Sequence, residues 1–226
     1  MMQLSDNLNG RSASARERLP VALAIFDLDG TLADSFPWFV RELNGIADAF
    51  GFRRVGDDEI AGLRRASPRE ILKQLEVPLW KLPRIASHMR RLKSEALGDI
   101  PLFPGADAML RALAAQGVRL ALVSSDNEAN VRQQLGSGNA VLFSHYACGA
   151  SLFGKAAKFK RVIKQADIAP RDAIAIGDEL RDIDAARAAG VHCGAVAWGY
   201  ADPAALAALE PDMMFKTMDE IAVRLR

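Results

Sequence analysis

Two kinds of hydrophobic pattern divide the chain. Short continuous apolar runs, typical of buried strands, occur near residues 21–26, 118–124, 140–143, 173–178 and 191–197. Between the later runs, apolar residues recur at helical spacing, as in residues 106–116, 156–165 and 182–189. Strands that alternate with helices of this length predict βαβ units, and therefore an α/β fold with a doubly wound parallel sheet.

The stretch 35–101 departs from this alternation. Its apolar residues follow helical spacing in segments 37–50, 57–65, 68–75 and 83–97, without a convincing strand pattern. We therefore expect a Rossmann-like core of residues 21–34 and 102–226, with a small all-helical cap domain, residues 35–101, inserted after the first strand. Ligands bind at the C-terminal edge of such a sheet, and the insert leaves from that edge. We expect the cap to cover the site as a lid.

Composition narrows the class of protein. Of the 226 residues, 50% are hydrophobic and 25% are charged, which is typical of an ordinary globular protein. A net charge of +1 gives no indication of a nucleic-acid partner, and no apolar run is long enough to cross a bilayer. Residues 1–20 are polar and lack the apolar core of a signal peptide, so we expect a flexible extension. The chain has two cysteines, Cys148 and Cys193, without metal-like spacing, which favours free thiols in a cytoplasmic protein. We expect a monomer or homodimer.

Two carboxylates follow the first apolar run. Asp27 and Asp29 are two residues apart, so an extended chain places them on one face. Two like charges so close are costly unless a cation lies between them or one carboxyl keeps its proton. Gly30 and Thr31 then turn the chain and offer backbone N–H groups and a hydroxyl, donors that suit a phosphate. A plain polar Asp-Gly turn is the alternative interpretation.

Acids also follow the strand predicted at residues 173–178. Asp178 lies at the strand end, and Asp182, four residues later, lies in the first turn of a helix, so both carboxylates face one side. Mg²⁺ takes oxygen ligands, typically one or two carboxylates together with waters and a substrate phosphate. Glu179 is a further candidate ligand. Favourable interaction of acids with the helix N-terminus is the alternative role for Asp182.

Two serines lie at the end of the strand predicted at residues 118–124: Ser124 is its last residue and Ser125 follows it. Ser125 and Glu128 form a capping-box pattern, which predicts that Ser125 begins the next helix. A helix N-terminus is itself an anion site, so capping and phosphate binding are compatible. Ser124, the strand's last residue, offers a hydroxyl donor.

Four motifs in chain order resemble those of the haloacid dehalogenase superfamily, in its phosphatase form. They are Phe26-Asp27-Leu28-Asp29-Gly30-Thr31, Val123-Ser124, Gly154-Lys155 and Gly177-Asp178. The resemblance implies that Asp27 attacks phosphorus and that Asp29 is the general acid and base. It implies phosphate binding by Ser124, and we expect Thr31 and Ser125 to bind the phosphate as well.

The resemblance also implies a lysine and a metal ion. Lys155 stands where the family places its lysine, although Ala156 follows it where relatives usually have proline, and Lys158 is the alternative one helical turn later. Mg²⁺ would be held by Asp27, the backbone carbonyl of Asp29 and the carboxylate of Asp178. Asp182 and Glu179 would lie directly behind these ligands.

The helical insert marks a branch with phosphoglycolate phosphatases, β-phosphoglucomutases and phosphonatases. Arg64 lies near the turn at Ala66-Ser67-Pro68, where the family has a substrate-contacting loop; a solvated helix end is the alternative. The resemblance implies a Mg²⁺-dependent phosphatase that hydrolyses a small phosphorylated metabolite, phosphoglycolate-like or a sugar phosphate, through an aspartyl phosphate. A sugar-phosphate mutase and a non-catalytic binding or regulatory module are the alternatives.

Overall fold

A parallel sheet forms the centre of the molecule. The computed structural model describes residues 18–149 and 154–225. The strands are β1 (Leu23–Phe26), β2 (Arg119–Val123), β3 (Phe143–Ala147), β4 (Ala173–Gly177), β5 (His192–Val196) and β6 (Met213–Phe215). Their order in the six-stranded sheet is β3-β2-β1-β4-β5-β6, and every neighbouring pair is parallel. The predicted α/β fold with a doubly wound parallel sheet is confirmed.

The residues between β1 and β2 form a group of helices. These are α1 (Phe36–Phe50), α2 (Ile60–Leu63), α3 (Pro68–Gln74) and α4 (Leu82–Glu95), with 3-10 turns at Leu79–Lys81 and Leu97–Asp99. We call residues 36–99 the helical segment; every residue of it is described, and none lies in a strand. It has a hydrophobic cluster of its own, which includes Leu43, Ile46 and Ile85.

The two ends of the helical segment meet beside the sheet. The Asp34 N–H donates to the Pro101 carbonyl oxygen at 2.9 Å, and Ala33 pairs with Leu102 in an antiparallel bridge. The segment therefore leaves and rejoins the core at one point, next to the C-terminal end of β1. The exact domain boundaries, and the closing of this segment as a lid, stay predictions.

Helices cover both faces of the sheet, because alternate residues of a strand point to opposite sides. In β1, Ala24 and Phe26 belong to one hydrophobic cluster, whereas Leu23 and Ile25 belong to another. The first cluster includes side chains of α5 (Ala106–Ala115), α6 (Glu128–Ala140) and α10 (Met218–Arg224). The second includes side chains of α7 (Lys155–Ala166), α8 (Leu180–Ala189) and α9 (Pro203–Ala207).

Several predicted elements differ from the structure. The strand predicted at residues 140–143 is wrong, because Ala140 ends α6 and β3 begins at Phe143. β3 lies at the sheet edge, and its Ser144 and His145 are at least partly exposed, so it lacks a continuous apolar run. The helix predicted at residues 57–65 is reduced to α2. The short elements α9, β6 and α10 have no counterpart in the sequence pattern.

The last residues of the predicted N-terminal extension pair with the C-terminal end of the chain. Leu19 forms a parallel bridge with Leu225, and its N–H donates to the Arg224 carbonyl oxygen at 2.9 Å. Leu19 therefore packs with the core, so the extension is shorter than the predicted 1–20. Residues 1–17, which carry the rest of that prediction, lie outside the described residues.

Both cysteines are free thiols, as expected. Burial raises the pKa of Cys148 to about 11 and the pKa of Cys193 to about 12, so both stay protonated at neutral pH. Among the helices that the structure describes, none has the length and hydropathy needed to cross a membrane.

Candidate active site

A tight turn directly after β1 positions the first acid. The Leu32 N–H donates to the Leu28 carbonyl oxygen at 2.9 Å, which folds the chain back on itself. Asp27 is buried, and its Oδ1 accepts from the Leu28 N–H at 2.8 Å. Gly30 has a φ of +73°, and a Cβ there would lie 2.1 Å from Asp178 Oδ2. Glycine is therefore required for both the backbone angle and the close approach of Asp178.

Asp178 and Asp182 reach Asp27 from the neighbouring strand β4 and helix α8. Asp178 accepts from the Thr31 hydroxyl at Oδ1 and from the Tyr200 N–H at Oδ2, each at 2.8 Å. Asp182 Oδ2 accepts from the Asp178 N–H at 3.1 Å. One carboxylate oxygen of each of the three acids lies within 4.8 Å of the others. Because β1 and β4 are parallel neighbours, the acids that follow them meet at one edge of the sheet.

Lys155 lies inside this acid cluster. Its Nζ donates to Asp27 Oδ2 and to Asp182 Oδ1, each at 2.5 Å. Burial alone would lower the pKa of Lys155, but the two carboxylates raise it above its ordinary value, so the ammonium form is favoured. Lys158 instead donates to the carbonyl oxygens of Ser124 and Gly149, at 2.6 and 2.5 Å. The structure thus brings Lys155, and not Lys158, to the acids.

The cluster carries more negative than positive charge. Four carboxylates meet two cations: Asp27, Asp178, Glu179 and Asp182 against Lys155 and Arg181. Burial raises the pKa of Asp178 well above its ordinary value, and the carboxylates of Glu179 and Asp182 raise it further. The hydrogen-bond donors to Asp178 among the described residues are neutral groups. With all four acids ionised, the cluster has an excess of two negative charges, which equals the charge of one divalent cation. The donor set is all oxygen, as Mg²⁺ prefers.

Ser124 and Ser125 border the space beside Asp27. With Asp27 and Lys155 they line a small cavity of about 30 Å³. Ser124 is buried, and its Oγ accepts from the Asp126 N–H at 3.1 Å. The predicted capping role of Ser125 is wrong, because α6 begins at Glu128, two residues further on than a Ser125 cap requires.

Asn127 is the residue that caps α6. Its side-chain oxygen accepts from the Asn130 N–H at 2.9 Å, and Glu128 is the first residue of the helix. Asn and Ser are similarly good N-cap residues, so residue type alone does not predict whether α6 begins after Ser125 or after Asn127.

Three other candidate residues hold parts of the structure together. Thr31 is fully buried and directs its hydroxyl to Asp178, not to the cavity. Arg64 donates through Nε to the Tyr200 carbonyl oxygen at 2.9 Å and through Nη2 to that of Gly199 at 2.8 Å. Its guanidinium therefore joins α2 to the core instead of facing the acids. Glu179 forms an ion pair with Arg181 and lines the small cavity.

With this geometry in place, comparison with known proteins becomes specific. Residues 24–196 match the model of the haloacid dehalogenase-like hydrolase family. The chain belongs to that family. It is 31% identical over 198 residues to the phosphoglycolate phosphatase of Synechococcus elongatus, across 87% of this chain and 93% of that protein. It is 30% identical over 203 residues to the phosphoglycolate phosphatase of Agrobacterium fabrum, across 85% and 87% of the two chains.

Solved structures of this family share the fold. A haloacid dehalogenase-like hydrolase from Streptococcus pneumoniae gives a TM-score of 0.75 at 20% identity, covering 90% of this chain and 97% of that one. A protein described as a predicted phosphoglycolate phosphatase from Haemophilus somnus gives 0.70 at 25% identity, covering 89% and 96%. The prediction of a phosphoric monoester hydrolase is confirmed at the level of the family and of these relatives.

In this haloacid dehalogenase-like chain, Lys93 is a site residue that sequence reasoning missed. It lies on α4, and its Nζ is 2.6 Å from Asp29 Oδ1, 2.7 Å from Asp29 Oδ2 and 3.3 Å from Asp126 Oδ2. Burial alone would lower the pKa of Lys93, but the two acids raise it overall. A signal was present in the sequence, because Lys93 falls on the apolar face of α4, in register with Ile85 and Met89.

We expect Lys93→Met to weaken the fold. Asp126 is 2% exposed, and without Lys93 it would be a buried acid with no cation. Breaking such a pair costs about 3 kcal/mol. Arg91→Met is the matched control two residues away, because the Arg91–Glu95 ion pair is exposed and the change should stay within about 0.5 kcal/mol. Urea unfolding of both variants measures the difference, and equal losses would contradict the assignment.

Proposed function

We propose that the protein is a Mg²⁺-dependent phosphatase that hydrolyses a small phosphate monoester through an aspartyl phosphate on Asp27. The observation that carries the proposal is the placement of a buried carboxylate, Asp27, between Lys155 and a cluster of excess acid at the C-terminal edge of β1. The names of the relatives favour phosphoglycolate as the first substrate to test, and a sugar phosphate is the second. A cytoplasmic location, a monomeric or homodimeric state and the absence of a nucleic-acid partner remain predictions.

Asp27 would act as the nucleophile. In the first step a carboxylate oxygen of Asp27 forms a bond to phosphorus, the bond to the alcohol oxygen breaks, and that oxygen takes a proton. In the second step water attacks phosphorus, gives up a proton, and releases inorganic phosphate and the free carboxylate. Burial raises the pKa of Asp27 above its ordinary value, and the Lys155 ammonium opposes that rise. Lys155 also offers positive charge to the phosphoryl oxygens, and the hydroxyls of Ser124 and Ser125 offer them hydrogen bonds.

Asp29 would carry the protons of both steps. It lies at the junction of the small cavity and the helical segment, and 29% of its side chain is exposed. Its carboxylate pairs with the Lys93 ammonium of the helical segment, at 2.6 Å from Oδ1. In the first step the Asp29 carboxyl would give a proton to the leaving oxygen, and in the second step it would take one from water.

The residues around Asp178 fit a magnesium ion. We propose that Asp27, Asp178 and the backbone carbonyl of Asp29 hold it, with Asp182 directly behind. When bound, Mg²⁺ supplies two positive charges that offset the acid cluster and the charge on the phosphoryl oxygens. Thr31 and Tyr200 fix the orientation of the Asp178 carboxylate by donating to its two oxygens.

Asp27→Asn and Asp29→Asn test the two steps separately. With p-nitrophenyl phosphate, whose leaving group needs no proton, we expect Asp27→Asn to lower kcat by at least about a thousandfold, roughly 4 kcal/mol. We expect Asp29→Asn to form the phosphoenzyme and hydrolyse it slowly, giving a burst of p-nitrophenol. Acid quench and mass spectrometry should find phosphate on the peptide that contains residue 27. Near-normal turnover by Asp27→Asn would refute the proposed nucleophile.

Asp178→Asn tests the metal assignment with a readout besides activity. An asparagine at this position keeps both hydrogen bonds, since its oxygen accepts from the Tyr200 N–H and its amide donates to the Thr31 hydroxyl. Removing one charge relieves the excess acid, so in EDTA the variant should have a thermal midpoint at or above that of the wild type. Added Mg²⁺ should raise the midpoint of the wild type only. An equal shift in both proteins would place the metal elsewhere.

Lys155→Met and Lys158→Met distinguish the two candidate lysines. Losing Lys155 removes the cation beside Asp27, so kcat should fall by a factor of about 100 to 1,000. Lys158 is half-buried, and its ammonium donates to two carbonyl oxygens. Lys158→Met should therefore cost about 2 kcal/mol of stability and leave a smaller effect on kcat. A larger loss of kcat in Lys158→Met would reverse the assignment.

A further inference from the structure

A second, much larger cavity adjoins the candidate active site. Its volume is about 770 Å³, within the range of cavities that bind small molecules. It lies between the helical segment and the C-terminal edge of the sheet. Four residues line both cavities: Asp29, Ser125, Glu179 and Arg181. A molecule with its phosphate beside Asp27 would therefore extend its alcohol portion into the larger cavity.

The walls of the larger cavity are mainly apolar. Side chains from all four helices of the segment supply them, among them Phe36, Phe39, Val40, Ile71, Leu72 and Met89. Each of these six side chains is only partly buried in the structure. Apolar surface left facing an open cavity is unfavourable, and a ligand with an apolar body would remove it from water.

The charged groups at this cavity are mostly engaged within the protein. Arg64 bonds two backbone carbonyls, Lys93 pairs with Asp29, and Arg181 pairs with Glu179. Arg90 is the further cation of the lining, and no described residue forms an ion pair with it. One water molecule takes up about 30 Å³ in the liquid. A two-carbon acid such as glycolate is only a few times larger. It would leave most of the cavity unfilled.

We propose that the larger cavity binds the alcohol portion of the substrate, and that this enzyme prefers phosphate monoesters of alcohols with an extended apolar chain or ring. The phosphate sits at the polar end, beside Asp27 and Lys155, and the apolar body lies among α1, α3 and α4. This proposal rests on the phosphatase function proposed above and specifies its substrate class.

A series of alkyl phosphates tests the preference in the wild-type protein with Mg²⁺. Ethyl, butyl, hexyl and octyl phosphate have leaving groups of similar basicity, so differences in kcat/KM report binding of the chain. Each buried methylene contributes up to about fourfold. We expect kcat/KM to rise at least about tenfold from ethyl to hexyl phosphate, and hexyl phosphate to exceed phosphoglycolate.

Ala86→Phe and Ser87→Phe place the effect in this cavity. Ala86 lies on α4 and lines the cavity, so a phenylalanine there takes up part of its volume; Ser87 is exposed and does not line it. The ratio of kcat/KM for hexyl over ethyl phosphate should fall at least about fivefold in Ala86→Phe and stay unchanged in Ser87→Phe. Thermal unfolding of both variants confirms that they are folded.

Binding without turnover gives an independent measurement. Hexylphosphonate has a P–C bond and is not hydrolysed, so calorimetric titration should show it to bind the wild type at least about tenfold more tightly than ethylphosphonate. Ala86→Phe should reduce that ratio. This measurement remains informative even if catalysis differs from the proposal.

The outcomes separate the two proposals. If kcat/KM does not change with chain length, or phosphoglycolate is preferred and Arg90→Met removes the preference, the apolar substrate class is overturned while the phosphatase function stands. If no monoester is hydrolysed with Mg²⁺, the proposed function fails, and the phosphonate titration alone then supports or overturns the assignment of the cavity.

Discussion

Buried negative charge is the constraint on which the rest of this structure depends. The C-terminal ends of β1 and β4 bring the carboxylates of Asp27, Asp178 and Asp182 within a few ångströms, in a place with little access to water. Such a group of acids destabilises a folded chain unless cations and hydrogen-bond donors oppose it. Much of the local architecture supplies that opposition. Lys155 at the start of α7 is one example, and the backbone N–H groups at the start of α8 are another.

The helical segment takes part in the same balance of charge. Lys93 reaches from α4 to Asp29 and Asp126 on the core, and Arg64 reaches from the end of α2 to carbonyl oxygens of the loop after β5. Apolar contacts join these polar ones. Trp38 of α1 is buried in the first cluster of the sheet, and Phe39 and Leu92 pack against both that cluster and the segment's own. Movement of the segment would therefore break polar and apolar contacts together.

The sequence predicted the parts of the site that depend on strand ends. An apolar run followed by acids fixes where Asp27 and Asp178 lie, because parallel strands present their C-terminal ends at one edge. The resemblance to the haloacid dehalogenase motifs gave Lys155 but did not exclude Lys158, since one helical turn separates them. It missed Lys93, whose role depends on how the helical segment packs on the core. It also misplaced β3, because an edge strand with polar residues lacks the continuous apolar run of a central strand.

The side-by-side attachment of the helical segment has an evolutionary consequence. Asp34 and Pro101 are hydrogen-bonded neighbours, so the helical segment leaves the core and returns to it at the same point. For the core, the segment is equivalent to a loop with adjacent ends. Changes in the length or order of its helices then leave the strand register and the positions of Asp27 and Asp178 unaltered. Selection can remodel the walls around the leaving group while the phosphoryl chemistry stays fixed. One sheet with a constant reaction can in this way be inherited by enzymes with unrelated substrates.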